Sequence, residues 1–232
     1  MDNILELHNL KKRYGTRWAL NGIDLTLGEG EVLGLLGPNG SGKSTMLKLI
    51  AGLVHATAGS IKITGLNPGP ESKAHVAILP DADYLYGWMT VKQAVEYVSG
   101  FYEDFDHEKA DRLIKMMGID SKMTVEHMSK GMSERLKLVL IMARNADLIL
   151  LDEPLGGIDP TSRDKIISGI ASEYRWEHST MIIATHLVRD IEPLFDKVLF
   201  LKNGQGVLYG GADELRARYD GSIEDIFKEV FV

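Results

Sequence analysis

The chain has 232 residues, of which 44% are hydrophobic and 25% charged, a composition typical of one globular unit or of one core with an inserted subdomain. Its 26 basic and 33 acidic residues give a net charge of −7 and are mixed along the sequence, so no strong footprint for nucleic acid is present and we expect no nucleic-acid partner. The lack of cysteine excludes a disulfide framework and a thiolate zinc site.

The N-terminal residues MDNILELHNLKK lack the long apolar segment and the small-residue cleavage site of a secretory signal. No segment approaches the roughly 20 apolar residues that a transmembrane helix needs. We therefore expect a cytoplasmic protein that contacts a membrane, if it does so, through another chain.

Strand-like runs separated by turn formers dominate the first third of the chain. They lie at residues 4–10, 23–27, 31–36 and 60–63. Further short apolar runs, several of them continuous rather than alternating, lie at residues 75–79, 147–151, 180–184 and 197–201. Continuous apolar runs are typical of strands that are buried on both faces, as in a parallel sheet.

Between residues 84 and 145 the spacing of apolar residues becomes helical, as in TVKQAVEYVSGFY and SERLKLVLIMARN. The residues after 205 are interpreted as a short hairpin followed by terminal helices. We predict an α/β fold that forms a single domain over residues 1–232. It combines a mostly parallel core sheet, an antiparallel β subdomain from the N-terminal third, and an inserted helical subdomain at residues 84–145.

The strongest local signal is GPNGSGKST, which satisfies G-x-x-x-x-G-K-[ST] between a strand-like run and a helical run. The glycines let the backbone curl so that consecutive amides face an anion, Lys43 adds a charge for the β and γ phosphates, and Ser44 can place its hydroxyl on Mg²⁺. A glycine-rich turn that binds nothing is the alternative. The pattern predicts a P-loop NTPase whose phosphate-binding residues are Gly37, Pro38, Asn39, Gly40, Ser41, Gly42, Lys43, Ser44 and Thr45.

Two carboxylates close the apolar run in DLILLDEP, where a P-loop protein has a second residue of its magnesium site. This placement assigns Asp152 to the Mg²⁺ shell and Glu153 to the attacking water as a general base. His186 follows the run TMIIAT and should lie at the same edge of the sheet, where a neutral imidazole can touch the γ-phosphate or the attacking water. The alternatives are a solvated strand end for the carboxylates and a structural role for the histidine.

The stretch MSKGM leads directly into the helical run SERLKLVLIMAR. Ser129 can act as an ordinary cap, its oxygen accepting a hydrogen bond from one of the first free N–H groups. The same amides and the positive end of the helix dipole can equally hold an anion. The five residues leave this choice open.

Together these motifs resemble the nucleotide-binding subunit of an ABC transporter, from Tyr14 to the strands beyond His186. In that family two cassettes pair head to tail, and each ATP lies between the P-loop of one and the signature of the other. The resemblance implies that Ser129 and the Gly131 amide contact the γ-phosphate held by the opposing cassette, and that Asp159 in GGIDP is the acidic residue of the D-loop. It also implies that Tyr14 stacks on adenine, with burial as a core residue as the alternative.

The chain departs from the family pattern at three positions. In MSKGM, Lys130 replaces a glycine and Met132 replaces a glutamine of the commonest signature, LSGGQ. Lys130 can add attraction to the γ-phosphate or point to solvent. Asp81 stands where the family usually has a glutamine; it is shorter and charged, but as a carboxylate it can still ligate Mg²⁺.

The resemblance implies an ATP-hydrolysing subunit, with ATP and Mg²⁺ as cofactors, at the inner face of the cell membrane. Its partners would be a transmembrane transporter subunit and a second ATP-binding subunit, in a homodimer or a heterodimer. The SKGM signature resembles bacterial export-type cassettes, which favours an exporter. The alternatives are a soluble ABC ATPase acting on ribosomes or nucleic acid, and a P-loop kinase or transferase.

An aromatic cluster follows Asp81 and consists of Tyr84, Tyr86 and Trp88, with Met89 beside it. In the family this region borders a groove that receives a short helix of the membrane subunit. The cluster is interpreted either as a set of anchors for that helix or as simple packing between subdomains.

Overall fold

The structure, a computed structural model, describes residues 3–80, 84–177 and 180–231. Its strands are β1 Asn3–Tyr14, β2 Arg17–Gly28, β3 Val32–Leu36, β4 Ala58–Ile63, β5 Val76–Leu79, β6 Leu148–Asp152, β7 Thr180–Thr185, β8 Lys197–Lys202 and β9 Gln205–Gly211. Its α-helices are α1 Lys43–Ile50, α2 Pro70–Ala74, α3 Val91–Ser99, α4 His107–Met117, α5 Lys130–Met142, α6 Pro160–Glu177, α7 Val188–Ile191, α8 Ala212–Tyr219 and α9 Ile223–Phe231.

The strands form two sheets. Six of them make one sheet in the order β5-β6-β7-β3-β8-β9, in which every neighbouring pair is parallel except β8 with β9. The other three make an antiparallel sheet in the order β2-β1-β4. The predicted mostly parallel core sheet and the antiparallel β portion are therefore confirmed, and β1 and β2 extend beyond the predicted strand bounds.

The central strands are apolar on both faces because each face covers a separate core. All five residues of β3 are buried, and the side chains on its two faces belong to different hydrophobic clusters. Leu33 and Leu35 pack in the cluster that contains α1 and the antiparallel sheet, whereas Val32 and Leu36 pack in the cluster that contains the helices of residues 91–142. The period of two follows from the alternation of side chains along a strand.

The carboxyl ends of three neighbouring strands bring the predicted site residues to one edge. Strand order places β7 between β6 and β3, with Asp152 opposite Ala184 and Leu36 opposite Thr185. The glycine-rich loop follows β3, Glu153 follows β6 and His186 follows β7. In open α/β sheets this edge is where ligands bind.

The segment predicted as helical contains α3, α4 and α5. Its end is tied to the sheet by the buried side chain of Arg144, which is only 2% exposed. The guanidinium binds both carboxylate oxygens of Asp104 at 3.0 and 3.2 Å, donates to the carbonyls of Val76 at 2.7 Å and Ala74 at 2.8 Å, and lies 3.9 Å from the ring centroid of Tyr102. One side chain thus joins the insertion to the beginning of β5.

Arg144→Ala should lower the free energy of unfolding by about 3 kcal/mol, because it leaves a carboxylate and two backbone carbonyls without their donor. Lys92→Ala is the control, since it breaks an exposed pair with Glu96 at 3.9 Å and should cost less than about 1 kcal/mol. Chemical denaturation of both variants measures the difference. Equal small losses would show that Arg144 does not anchor the insertion.

Candidate functional site

The glycine-rich loop turns directly into α1, and two glycines are required by its path. Gly42 precedes the helix with a φ of 116°, and a Cβ there would lie 2.5 Å from the carbonyl oxygen of Ala19. A Cβ on Gly37 would lie 2.4 Å from the carbonyl oxygen of Leu201. The loop is therefore wrapped tightly against its neighbours, with its first helical amides at the edge of the sheet.

Within the loop, two polar side chains are buried. Lys43 is 5% exposed, and its Nζ donates to the carbonyls of Gly37 at 2.8 Å and Pro38 at 3.4 Å. The Oγ of Ser41 is also buried and makes no hydrogen bond with the residues that the structure describes. A buried polar group without a partner calls for an explanation, and an anion held by the loop is one that the local chemistry supplies.

Glu153 occupies the centre of the edge. Its backbone has a φ of 49°, unusual for a residue other than glycine, and its N–H donates to the carbonyl of Ala184 at 2.8 Å. This conformation turns the chain away at the end of β6 and aims the carboxylate at the glycine-rich loop, where Oε1 lies 3.3 Å from the Nζ of Lys43. Strained backbone of this kind clusters at functional sites.

Thr185, the last residue of β7, and His186, which follows it, hold the same carboxylate. Thr185 donates its hydroxyl hydrogen to Glu153 Oε2 at 3.0 Å, and the same hydroxyl oxygen accepts the N–H of Leu187 at 2.9 Å. The Nδ1 of His186 lies 2.9 Å from Glu153 Oε1. Because an ionised carboxylate only accepts hydrogen bonds, this contact places a proton on Nδ1, and in the neutral ring Nε2 is then an acceptor. The sequence motifs did not identify Thr185, although a hydroxyl just before a histidine at a strand end was visible.

Two of the three predicted metal ligands, Ser44 and Asp152, lie within the described residues. Asp152 ends β6 and is 6% exposed, and Ser44 is the second residue of α1. Asp81 lies outside the described residues. In the part of the chain that the structure describes, no group of three or more His, Cys, Asp or Glu residues is placed to hold a metal ion.

A cleft of about 330 Å³ opens between the glycine-rich loop and the tip of the β1–β2 hairpin. Tyr14 borders it and is 50% exposed, so it is not a core residue. The ammonium of Lys12 lies over the Tyr14 ring, 4.9 Å from its centroid, which leaves the opposite face of the ring for a ligand. The cleft is lined by Tyr14, Arg17, Ala19, Asn39, Gly40, Gly42, Lys43, Ser44, Thr45 and Glu153.

Ser129 caps α5 as an ordinary N-cap residue, its oxygen accepting the N–H of Met132 at 3.3 Å. Gly131 is buried against the beginning of α6, where a Cβ would lie 2.6 Å from Ser162 Oγ and 3.0 Å from Asp159 Oδ2. Lys130 is exposed, and its Nζ lies beside Gly157. The MSKGM stretch and the GGIDP stretch thus adjoin one another.

Asp159 caps α6, its Oδ1 accepting the N–H of Ser162 at 3.0 Å. Hydrogen bonds from the side chain and the backbone of Ser162 hold the pKa of the Asp159 carboxyl below its usual value. The carboxylate is therefore ionised at neutral pH. Ser129, Gly131 and Asp159 lie outside the described lining of the cleft, so the residues predicted to bind nucleotide lie in two separate places on this chain.

Four aromatic side chains form an exposed aromatic patch of Tyr86, Trp88, Tyr97 and Phe101. Their rings contact in sequence, with centroids 6.0, 6.0 and 5.1 Å apart, and Trp88 and Phe101 are 63% and 67% exposed. Of the other cluster residues, Met89 is a core residue at 3% exposure. Tyr84 donates to the carbonyl of Lys137 at 3.4 Å, and burial raises the pKa of its phenol.

The described helices include none that is both long enough and apolar enough to cross a bilayer.

Comparisons with known proteins agree with the geometry. A family model described as ABC transporter matches residues 20–156. The ABC transporter ATP-binding protein YtrB of Bacillus subtilis is 33% identical over 218 residues, covering 93% of this chain and 75% of that protein. The Nod factor export ATP-binding protein I of Burkholderia lata is 32% identical over 221 residues, covering 91% of this chain and 72% of that protein.

Among solved structures, an ATP-binding subunit of an ABC transporter superposes with a TM-score of 0.85 and 25% identity, covering 97% of this chain and 98% of that one. The resemblance on which the sequence interpretation rested is confirmed, and so is the P-loop fold. Since the family model spans more than half of the chain and the two relatives align along most of it, the chain belongs to the ABC transporter family, as an ATP-hydrolysing ATP-binding subunit.

Proposed function

We propose that this chain powers an exporter by closing with a second ATP-binding subunit, the same chain or a related one, around ATP and Mg²⁺. The observation that carries the proposal is the joint attachment of Glu153 to Lys43 of the phosphate loop and to Thr185 and His186. A cation, a carboxylate and an imidazole meet beside a cleft that accommodates a nucleotide. Export is supported by the SKGM signature and by the similarity to the Nod factor export protein of Burkholderia lata.

The ion pair between Lys43 and Glu153 places the phosphate-binding lysine beside the proposed catalytic carboxylate. Lys43 is nearly buried, so its charge is balanced by Glu153 and by two carbonyls of the loop. An incoming phosphate chain offers Lys43 a stronger anionic partner. Glu153 then keeps Thr185 and His186 as donors and can turn its other lone pairs to a water, which it orients and deprotonates as a general base.

The residues present fit a hard cation with few protein ligands. Mg²⁺ prefers oxygen and usually keeps several waters, so the Ser44 hydroxyl and the Asp152 carboxylate suffice beside substrate phosphates. When bound, it neutralises charge that develops on the β and γ phosphates. Asp81 stays a predicted third oxygen ligand. His186 is proposed to touch the γ-phosphate or the attacking water; with its proton on Nδ1, a neutral ring would accept a hydrogen bond from the water through Nε2.

The second ATP-binding subunit is proposed because the candidate phosphate contacts are divided. The cleft carries the P-loop and Tyr14, whereas Ser129, Gly131 and Asp159 lie elsewhere on the same chain. Two cassettes arranged head to tail would bring Ser129 and the Gly131 amide to the γ-phosphate in the first cleft, with Asp159 beside them. Each nucleotide would then bridge two protomers, and its hydrolysis would let them separate.

The aromatic patch is the proposed docking surface for a transmembrane subunit. Large exposed aromatic side chains that contact one another are typical anchors of protein interfaces. The patch includes Tyr97 of α3, in the predicted helical subdomain. A partner docked there would move with that subdomain when the cassettes close. Through this partner the chain would lie at the inner face of the cell membrane.

Glu153→Gln should leave ATP affinity intact, slow turnover by a factor of about 100 or more, and favour an ATP-dependent dimer. The amide keeps the size of the side chain but cannot take a proton from water. Steady-state ATPase assays and light scattering at saturating ATP measure the two effects. Glu71→Gln, at an exposed position of α2, is the matched control, and wild-type turnover in Glu153→Gln would remove Glu153 from the catalytic role.

Thr185→Val removes the hydroxyl while keeping the shape, so the carboxylate of Glu153 loses a donor and the N–H of Leu187 loses its acceptor. We expect kcat to fall about tenfold with little change in KM. Thr185→Ser restores the hydroxyl and should recover most of the rate. A valine variant as active as wild type, or a serine variant as impaired as valine, would contradict a positioning role for this hydroxyl.

Trp88→Ser and Phe101→Ser should each weaken binding to the membrane subunit, on the order of thirtyfold for an anchor residue. Thermal stability should stay near that of wild type because both side chains are exposed. Binding to membrane vesicles that contain a multispanning protein that co-purifies with this chain provides the measurement. Leu53→Ser is the control, because it changes another exposed apolar residue, 55% accessible, outside the patch, and it should have no effect. If both patch variants bound as wild type does, the patch would not be the docking surface.

A further inference from the structure

Arg17 is a cation of the cleft that the sequence motifs did not identify. It begins β2, immediately after the Gly15-Thr16 turn, and pairs across the hairpin with Tyr14. Directly opposed residues of an antiparallel pair project from the same face of the sheet with neighbouring Cβ atoms. Tyr14 and Arg17 both line the cleft that the phosphate loop closes on its other side.

The charge of Arg17 has no balancing group of its own. In the part of the chain that the structure describes, its guanidinium takes part in no ion pair or hydrogen bond. The two other charged residues of the cleft, Lys43 and Glu153, balance one another at 3.3 Å. The cleft thus carries an excess positive charge at Arg17, which suits an anionic ligand.

The neighbouring basic side chains of the hairpin are already engaged elsewhere. Arg13 stacks on the ring of Trp18, with its guanidinium carbon 5.4 Å from the centroid. Lys12 donates to the carbonyl of His55 at 2.7 Å and covers one face of Tyr14. Neither lines the cleft. Arg17 is therefore distinguished by its place and by its free donors, rather than by charge alone.

We propose that Arg17 binds the phosphate chain of the nucleotide, as a second cation beside Lys43. A planar guanidinium presents paired N–H donors that match two phosphate oxygens, which a lysine cannot reproduce. Tyr14, as its cross-strand neighbour, would stack on the base while Arg17 binds the phosphates. The tip of one hairpin would then contact both the base and the phosphate chain. This inference rests on the proposed nucleotide site and adds a residue that the P-loop motif does not contain.

Calorimetric titration of ATP, GTP and ADP into the full chain tests the assignment, with wild type, Arg17→Gln and Arg17→Lys compared at low and high salt. Arg17→Gln should weaken all three nucleotides about tenfold, and by the same factor for ATP and GTP, because the phosphates rather than the base are contacted. The salt dependence of binding should decrease as well. Arg17→Lys should recover only part of the affinity.

Arg13→Gln is the matched control on the same hairpin and should bind as wild type does. Wild-type affinity of Arg17→Gln for ATP would overturn the proposal, as would a loss confined to ATP or to GTP, which would indicate a base contact. Lys43→Ala distinguishes a wrong assignment of Arg17 from a wrong assignment of the whole nucleotide site. If Lys43→Ala also bound ATP normally, the nucleotide site would be wrong; if only Lys43→Ala lost affinity, Arg17 alone would be excluded.

Discussion

The attachment of Glu153 to both neighbouring strand ends is the interaction on which the site depends. Its carboxylate receives Lys43 from the loop after β3 and Thr185 and His186 from the end of β7. This is geometrically feasible because β7 lies between β3 and β6, so three loops converge on one side chain. The positive φ of Glu153 is the local cost of turning that side chain toward the loop. Moving any of the three strands by one residue would take a donor away from the carboxylate.

Features that depend on interactions within a few neighbouring residues could be predicted from the sequence. The glycines, Lys43 and Ser44 form one turn, and continuous apolar runs led to the buried parallel strands and hence to the carboxyl edge. Asp159 also had a local signal, an aspartate followed by Pro160 at a helix start, yet α6 was not anticipated. Its weak apolar periodicity gave no helical pattern to extend from that cap.

The remaining features depend on which strands are neighbours, which local patterns do not encode. Pairing of Lys43 with Glu153 requires the strand order of the six-stranded sheet. The role of Arg17 requires the register of one hairpin, and the role of Arg144 requires contact with Asp104 and Val76, far away along the chain. In the sequence, Arg17 and Arg144 looked like ordinary charged residues. Arg144 is made specific by distant carboxylate and backbone partners, and Arg17 by its place in the lining of the cleft.

The two interpretations of Ser129 are compatible, because a cap uses only one of the free amides of α5. Its oxygen satisfies the N–H of Met132, while the first amides of a helix, including that of Gly131, have no intrahelical acceptor. Charge around this point is nearly balanced. The ionised Asp159 lies against Gly131, and Arg135, 7% exposed, donates to the Gly131 carbonyl at 3.1 Å. Lys130 is exposed next to this helix start and carries a positive charge that the glycine of the commonest signature does not have. Because the capping bond engages the N–H of Met132 rather than that of Gly131, Ser129 can cap α5 while the Gly131 amide stays available to an anion.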